Sequence, residues 1–247
     1  MSADDARAAA GAEAIAELDA VTRRLRRECP WDRAQDERSI VPHTVEEAYE
    51  LADAAAAGDD AKLLDELGDV LFQVHFLALL LEERDAGDLA AVAAGTTAKL
   101  IRRHPHVFGE VEVAGTDDVR SNWDRIKREQ EGRGEEGPFA DVPENLPGLL
   151  YARKLQRRAA AAGLPGPAED RDEALERLDA ALAAVRAAPP SADPEHASAD
   201  ERAAAEAALG RLLLAAVDVA RIARVDPELS LRRAADELRE GADDASA

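Results

Sequence analysis

Strand-forming residues are nearly missing from this chain. Aromatic residues make up 3% of it, the β-branched ones are sparse and scattered, and Ala, Leu, Glu and Arg, all strong helix formers, dominate. The composition predicts an all-α fold. Apolar spacing and breaker residues place helices near 11–28, 43–57, 60–84, 88–103, 117–131, 147–162, 170–188, 199–224 and 230–241. The turn Gly58-Asp59-Asp60 separates two amphipathic stretches by so few residues that they must run antiparallel, side by side. With 46% hydrophobic residues over 247 positions, the chain holds enough apolar material for a core in one or two domains.

Two stretches break the helical pattern. Glu129 to Pro147 (EQEGRGEEGPFADVPENLP) is rich in Gly, Pro and acids and reads as a linker or loop, as does Pro189 to His196. The first suggests a boundary near residue 146, giving an N-terminal domain over 1–146 and a second helical region over 147–247. The two regions resemble diverged copies: Leu67-Gly68-Asp69-Val70-Leu71-Phe72 is echoed by Leu209-Gly210-Arg211-Leu212-Leu213-Leu214. That register sets Glu66 against Ala208. A looser match sets Glu46, Glu47 and Glu50 against Ala180, Ala181 and Ala184, so the second copy has lost its acids.

Charge narrows the range of partners. With 52 acidic and 31 basic side chains the formal balance is −21, which argues against holding a nucleic acid polymer through the overall field. An anionic substrate must be met by local cations. Cys29 stands alone, so no intramolecular disulfide framework is possible, and a reducing cytoplasm is the expected setting. The first residues carry acids where a secretory signal needs positive charge, and no apolar run approaches a membrane span.

The chemistry-bearing residues cluster on the predicted hairpin. Glu47 and Glu50 lie three apart on one helical face with Glu46 beside them, and Glu66 and Asp69 repeat the spacing across the Gly58 turn. Facing carboxylates repel, by roughly 4 kcal/mol for two unit charges about 4 Å apart at an effective dielectric near 20. A cation between them would relieve this. Oxygen ligands without His or Cys suit a hard ion, best Mg²⁺ with positions left open for phosphate. The bland alternative fits the same letters: such spacings arise on any solvated acidic face, and Thr44 with Glu47 matches a capping box. Position adds weight to the first reading, because Asp69 and Gln73 interrupt the otherwise apolar run LGDVLFQVHFLALLL, where an unpartnered inward charge costs several kcal/mol. Asp69 therefore sits at a helix margin or in a site, and His75, lacking a partner His or Cys, reads as a satisfied core histidine.

Four ordered motifs, Cys29-Pro30-Trp31-Asp32, Glu-Glu-Ala-Tyr-Glu at 46–50, Asp-Glu-Leu-Gly-Asp at 65–69 and Lys99 through Gly109 (KLIRRHPHVFG), resemble the MazG family of nucleoside triphosphate pyrophosphohydrolases. The likeness spans about residues 14 to 131 and continues faintly beyond. It implies a four-helix core with a degenerate second helical repeat, assembly as a homodimer, and Mg²⁺-dependent cleavage of nucleoside triphosphates to monophosphate and pyrophosphate. Carried over by position, it implies metal ligands at Glu47, Glu50, Glu66 and Asp69, with Glu46 beside them as a supporting group or a base orienting water. Because acids alone cannot grip a triphosphate, Lys99, Arg102 and Arg103, with Lys62, are the candidate phosphate contacts. The competing account of the first three is a solvated helix end favoured by the dipole before Pro105. Trp31 and Trp123, the only tryptophans, either stack on a base or fill the core, and for Trp123 the resemblance favours the nucleotide.

Hydrolysis at phosphorus through a metal needs no covalent nucleophile, and neither a P-loop nor a G-x-S-x-G motif occurs. Two departures from the family pattern stand out. Gln35 is followed by Asp36 and Glu37 where many relatives read Thr-His, which puts base recognition there in question. In the second copy Arg211 replaces Asp69 and Glu237 stands near the place of Lys99, so that half is expected to serve packing or assembly, leaving one catalytic site per chain. The rivals are a narrow dUTP, dCTP or phosphoribosyl-ATP pyrophosphohydrolase and, from another class, a noncatalytic helical adaptor.

Overall fold

The computed structural model describes residues 2–116, 118–119, 122–123, 125–126, 137–140, 142–187 and 198–244. Residues 129–136 and 141 of the expected 129–147 linker, all of the 189–196 one and parts of the expected 117–131 helix lie outside them. The described residues are mostly helical and contain no strand. Their helices are α1 (Ala3–Glu28), α2 (Pro30–Ala34), α3 (Glu37–Ala57), α4 (Asp60–Glu82), α5 (Leu89–Arg103), α6 (Pro105–Phe108), α7 (Gly148–Ala161), α8 (Arg171–Ala187), α9 (Ala199–Ile222) and α10 (Pro227–Asp244). The chain divides into two compact units, Met1–Arg102 and Arg103–Ala247.

Caps explain where the helices begin earlier than periodicity predicts. Ser2 and Asp5 form a reciprocal capping box that starts α1 at Ala3. Asp36 and Ser39 form another, which starts α3 six residues ahead of the expected position and carries Pro42 inside the helix. Asp36, one of the two residues that depart from the family pattern, thus has a structural task as the α3 cap. The short α2 has too few residues for a periodic signal. Gly58 closes α3 in the left-handed conformation, φ 70°, and the Asp59 carboxylate accepts from the backbone N–H groups of Ala61 and Lys62, 3.0 Å each, to open α4. The α3–α4 hairpin follows from this tight turn.

In the first unit, Ile40 of α3 packs with Phe76 and Leu80 of α4, and Phe72 and Leu77 flank them. The Phe72 and Phe76 rings meet at 5.8 Å and 59°. Two bidentate arginine clamps fasten α1 to the end of α4. Arg23 donates to both oxygens of Glu82 at 2.7 and 2.6 Å, and Arg26 donates to both oxygens of Glu83 at 2.7 and 2.8 Å. Arg26 also donates to the Asp32 and Gln35 carbonyls, so one guanidinium ties α2 to α4. His75 is buried as expected, but its Nδ1 has no hydrogen-bond partner, so it is a core histidine that packing holds without satisfying this nitrogen.

The second unit is built around a comparable hairpin, α8–α9, with α7 and α10 packed on it. The Gln156 amide donates to the Leu214 carbonyl at 2.8 Å. Buried Asp218 accepts from the Ala168 backbone N–H at 2.7 Å and from Arg221 at 2.6 Å, which pins the segment leading into α8. Arg153 pairs with Asp226, whose carboxylate caps α10. In the register of the sequence echo, Glu66 and Ala208 are both buried and Asp69 and Arg211 both exposed, whereas Phe72 is half-buried against exposed Leu214 and Gln73 buried against half-buried Ala215.

Candidate metal centre

The turn at Gly58 sets the start of α4 beside the second half of α3. Glu47 on α3 and Glu66 and Asp69 on α4 each bring a carboxylate oxygen within 4.8 Å of the other two. Glu66 is buried, Glu47 half-buried and Asp69 exposed, so the cluster grades from the helix interface out to solvent. Asp69 interrupts its apolar run because it turns into this group of acids.

The electrostatics record the crowding. Desolvation first, then the charges of Asp69, Glu50, Glu66 and Glu46, push the Glu47 carboxyl above its ordinary value. Glu66 is pushed up as well, chiefly by desolvation and next by Glu50, with Lys62 opposing. The Lys62 ammonium lies 4.0 Å from Glu66 Oε1 and is half exposed. Three clustered carboxylate donors fit a hard divalent cation, which would relieve the repulsion that pushes Glu47 and Glu66 up.

The remaining candidate residues differ in exposure and in partners. Glu50 is exposed and lies outside the 4.8 Å trio, yet its charge acts on both Glu47 and Glu66. Glu46 is exposed and its Oε2 sits 3.3 Å from His43 Nδ1. Trp31 is half exposed, and its ring meets that of His43 at 6.2 Å and 57°. Lys99 and Arg102 occupy the last turn and a half of α5, Lys99 exposed and Arg102 half-buried. In the second unit the Arg103 guanidinium lies over the Trp123 ring at 5.5 Å, and His104 meets that ring edge-on at 4.9 Å. Trp123 therefore already carries a cation on its ring.

Sequence reasoning passed over His43. Its signal was present as spacing: His43, Glu47 and Glu50 stand at i, i+4 and i+7, one face of α3, with Glu46 within reach at i+3.

An all-helical scaffold whose hairpin gathers carboxylates suits a class of hydrolases that act on phosphate anhydrides. Residues 35–108 match the MazG nucleotide pyrophosphohydrolase domain. A nucleoside triphosphate pyrophosphohydrolase of Escherichia coli (strain K12) is 35% identical over 211 residues, covering 83% of this chain and 76% of that protein. A Thermotoga maritima nucleoside triphosphate pyrophosphohydrolase/pyrophosphatase is 34% identical over 206 residues, covering 83% and 74%. An uncharacterised 26.1 kDa protein of Streptomyces cacaoi is 42% identical over 144 residues, 57% of this chain and 59% of that one. The chain belongs to the MazG nucleotide pyrophosphohydrolase family and is a hydrolase.

Proposed function

We propose that the protein hydrolyses nucleoside triphosphates to the monophosphate and pyrophosphate with Mg²⁺, and that it clears surplus or aberrant nucleotides from the cytoplasm. The observation that carries this reading is the carboxylate trio of Glu47, Glu66 and Asp69 on the α3–α4 hairpin. Its support from relatives is the likeness to the two named pyrophosphohydrolases along most of the chain. Among the described residues no helix is long and apolar enough to cross a membrane.

In this reading Glu47, Glu66 and Asp69, with Glu50, hold the cation. When bound, Mg²⁺ supplies neutralisation of phosphate oxygens and a more acidic water. The chain's own residues do the rest. Glu46 orients the attacking water and takes up its proton, with Glu47 as the neighbouring carboxylate. Lys62, Lys99 and Arg102 offset the triphosphate charge, and Trp31 stacks on the nucleoside. Water oxygen bonds to phosphorus as the α–β bridging P–O bond breaks, and pyrophosphate leaves. We assign catalysis to residues 1–146 and packing or assembly to 147–247, where the register replaces Glu66 and Asp69 by Ala208 and Arg211.

The test is pyrophosphate release from a panel of ribo- and deoxyribonucleoside triphosphates, with Glu50→Gln compared against Glu176→Gln. Turnover should collapse only in the first. Absence of pyrophosphate beside an active control enzyme, or equal mild losses in both variants, contradicts the activity.

A homodimer belongs to the same proposal. Leu64, Leu67, Leu71 and Val74 form a stripe along α4 that is 74, 49, 36 and 39% exposed, and its 3-4-3 spacing suits a partner helix. Leu67→Glu combined with Leu71→Glu should convert dimer to monomer in sedimentation equilibrium. A parent protein that sediments as a monomer removes the dimer.

A further inference from the structure

The proposed chemistry needs Glu46 to hold one orientation beside the acid cluster, yet its side chain is 68% exposed and a glutamate has several soft torsions. Among the described residues the one side-chain hydrogen bond to Glu46 comes from His43, whose Nδ1 lies 3.3 Å from Oε2. The imidazole is itself constrained. Its ring packs against Trp31, 6.2 Å between centroids and tilted 57°, and Trp31 belongs to a different element, α2. The α2 backbone is anchored in turn: Arg26 donates to the Asp32 and Gln35 carbonyls while its other side grips Glu83 of α4, and the Gln35 amide donates to the Trp31 carbonyl at 2.9 Å. A continuous series of contacts therefore runs from the end of α4 through Arg26, α2 and Trp31 to His43 and Glu46. An isolated i, i+3 surface pair would have no reason to receive an aromatic brace from a second helix.

We propose that His43 is a positioning residue for the hydrolysis. With its proton on Nδ1 it donates to Glu46, and Trp31 fixes the plane of the ring, so that the carboxylate is presented to the attacking water. His43 stands one turn before Glu47 on the same face of α3, and the charge of Glu46 is felt at Glu47, which puts the pair at the margin of the acid cluster. This inference rests on the pyrophosphohydrolase reading above and adds to it a residue that does not touch substrate.

The test uses the full chain and steady-state pyrophosphate release at saturating Mg²⁺. His43→Phe keeps a ring against Trp31 and removes the donor; His43→Asn keeps a donor close to the position of Nδ1. His43 is exposed enough that circular dichroism and melting curves of both variants should match the parent. His43→Phe should lower kcat about tenfold or more, within the range typical when a group that orients a working residue is lost, with KM within about twofold. His43→Asn should recover most of the loss. In the background of Glu46→Gln, His43→Phe should have little further effect, because the two act as one unit. Unchanged kcat in His43→Phe, a rise in KM alone, or a full additional loss in the double variant overturns the positioning role while leaving the activity standing. A parent enzyme that releases no pyrophosphate overturns the activity, and the positioning role with it.

Discussion

Glu66→Gln should abolish turnover and at the same time make the metal-free protein more stable to heat. Glu66 is the buried member of the trio, and its carboxyl is pushed up by desolvation and by neighbouring acids. In the absence of a cation the ionised group therefore works against the fold, and a neutral amide of the same shape relieves both the desolvation and the repulsion. Catalysis responds in the opposite sense. Charge neutralisation at the phosphoryl oxygens is worth several kcal/mol in the transition state, so at about 1.4 kcal/mol per decade its loss lowers kcat by roughly 10³. Melting curves without metal and pyrophosphate release with it check both halves. A variant that loses activity because it has unfolded, or one that keeps activity, contradicts the assignment.

The second large effect is on the pH dependence of metal stabilisation. Glu47 and Glu66 have raised carboxyls in the folded chain. For such groups the protonated folded state is favoured: their contribution to stability is fully present below the ordinary glutamate value of 4.5 and is lost as pH rises through the raised folded values. Glu82 and Glu83 behave oppositely, because the hydrogen bonds from Arg23 and Arg26 hold their carboxyls below the ordinary value. Their contribution is present above 4.5 and is lost as pH falls through the depressed values. Metal-free protein should accordingly gain stability from the acid cluster on moving from neutral pH toward 4.5, and lose the α1–α4 clamps below it. Saturating Mg²⁺ competes with protons for the same oxygens, so the increase in Tm that it produces should be largest near neutral pH and shrink toward 4.5. Paired melting curves across this range are the measurement. An increment in Tm independent of pH would mean that the cation binds elsewhere.

The physics behind these two effects also explains what could be read before the fold was known. Helix content followed from the dominance of Ala, Leu, Glu and Arg, and the hairpin followed from Gly58, because a two-residue connection leaves no other arrangement. The trio was accessible because Asp69 violates an apolar run, and a violation of that kind needs a local reason. Helix starts were less accessible. The Asp36 and Ser39 capping box starts α3 ahead of the expected position with Pro42 inside the helix, and α2 was too short for periodicity to register. His43 escaped notice because its contact with Trp31 is made between two helices: no spacing along one helix announces a ring arriving from another.

Isothermal titration of the metal-free parent and of Glu66→Gln with Mg²⁺ addresses the central claim most directly, with circular dichroism showing that the variant is folded. Saturable binding to the parent that disappears in Glu66→Gln is the expected result. No binding to the parent, or equal binding to both, would contradict a cation held by the α3–α4 acids.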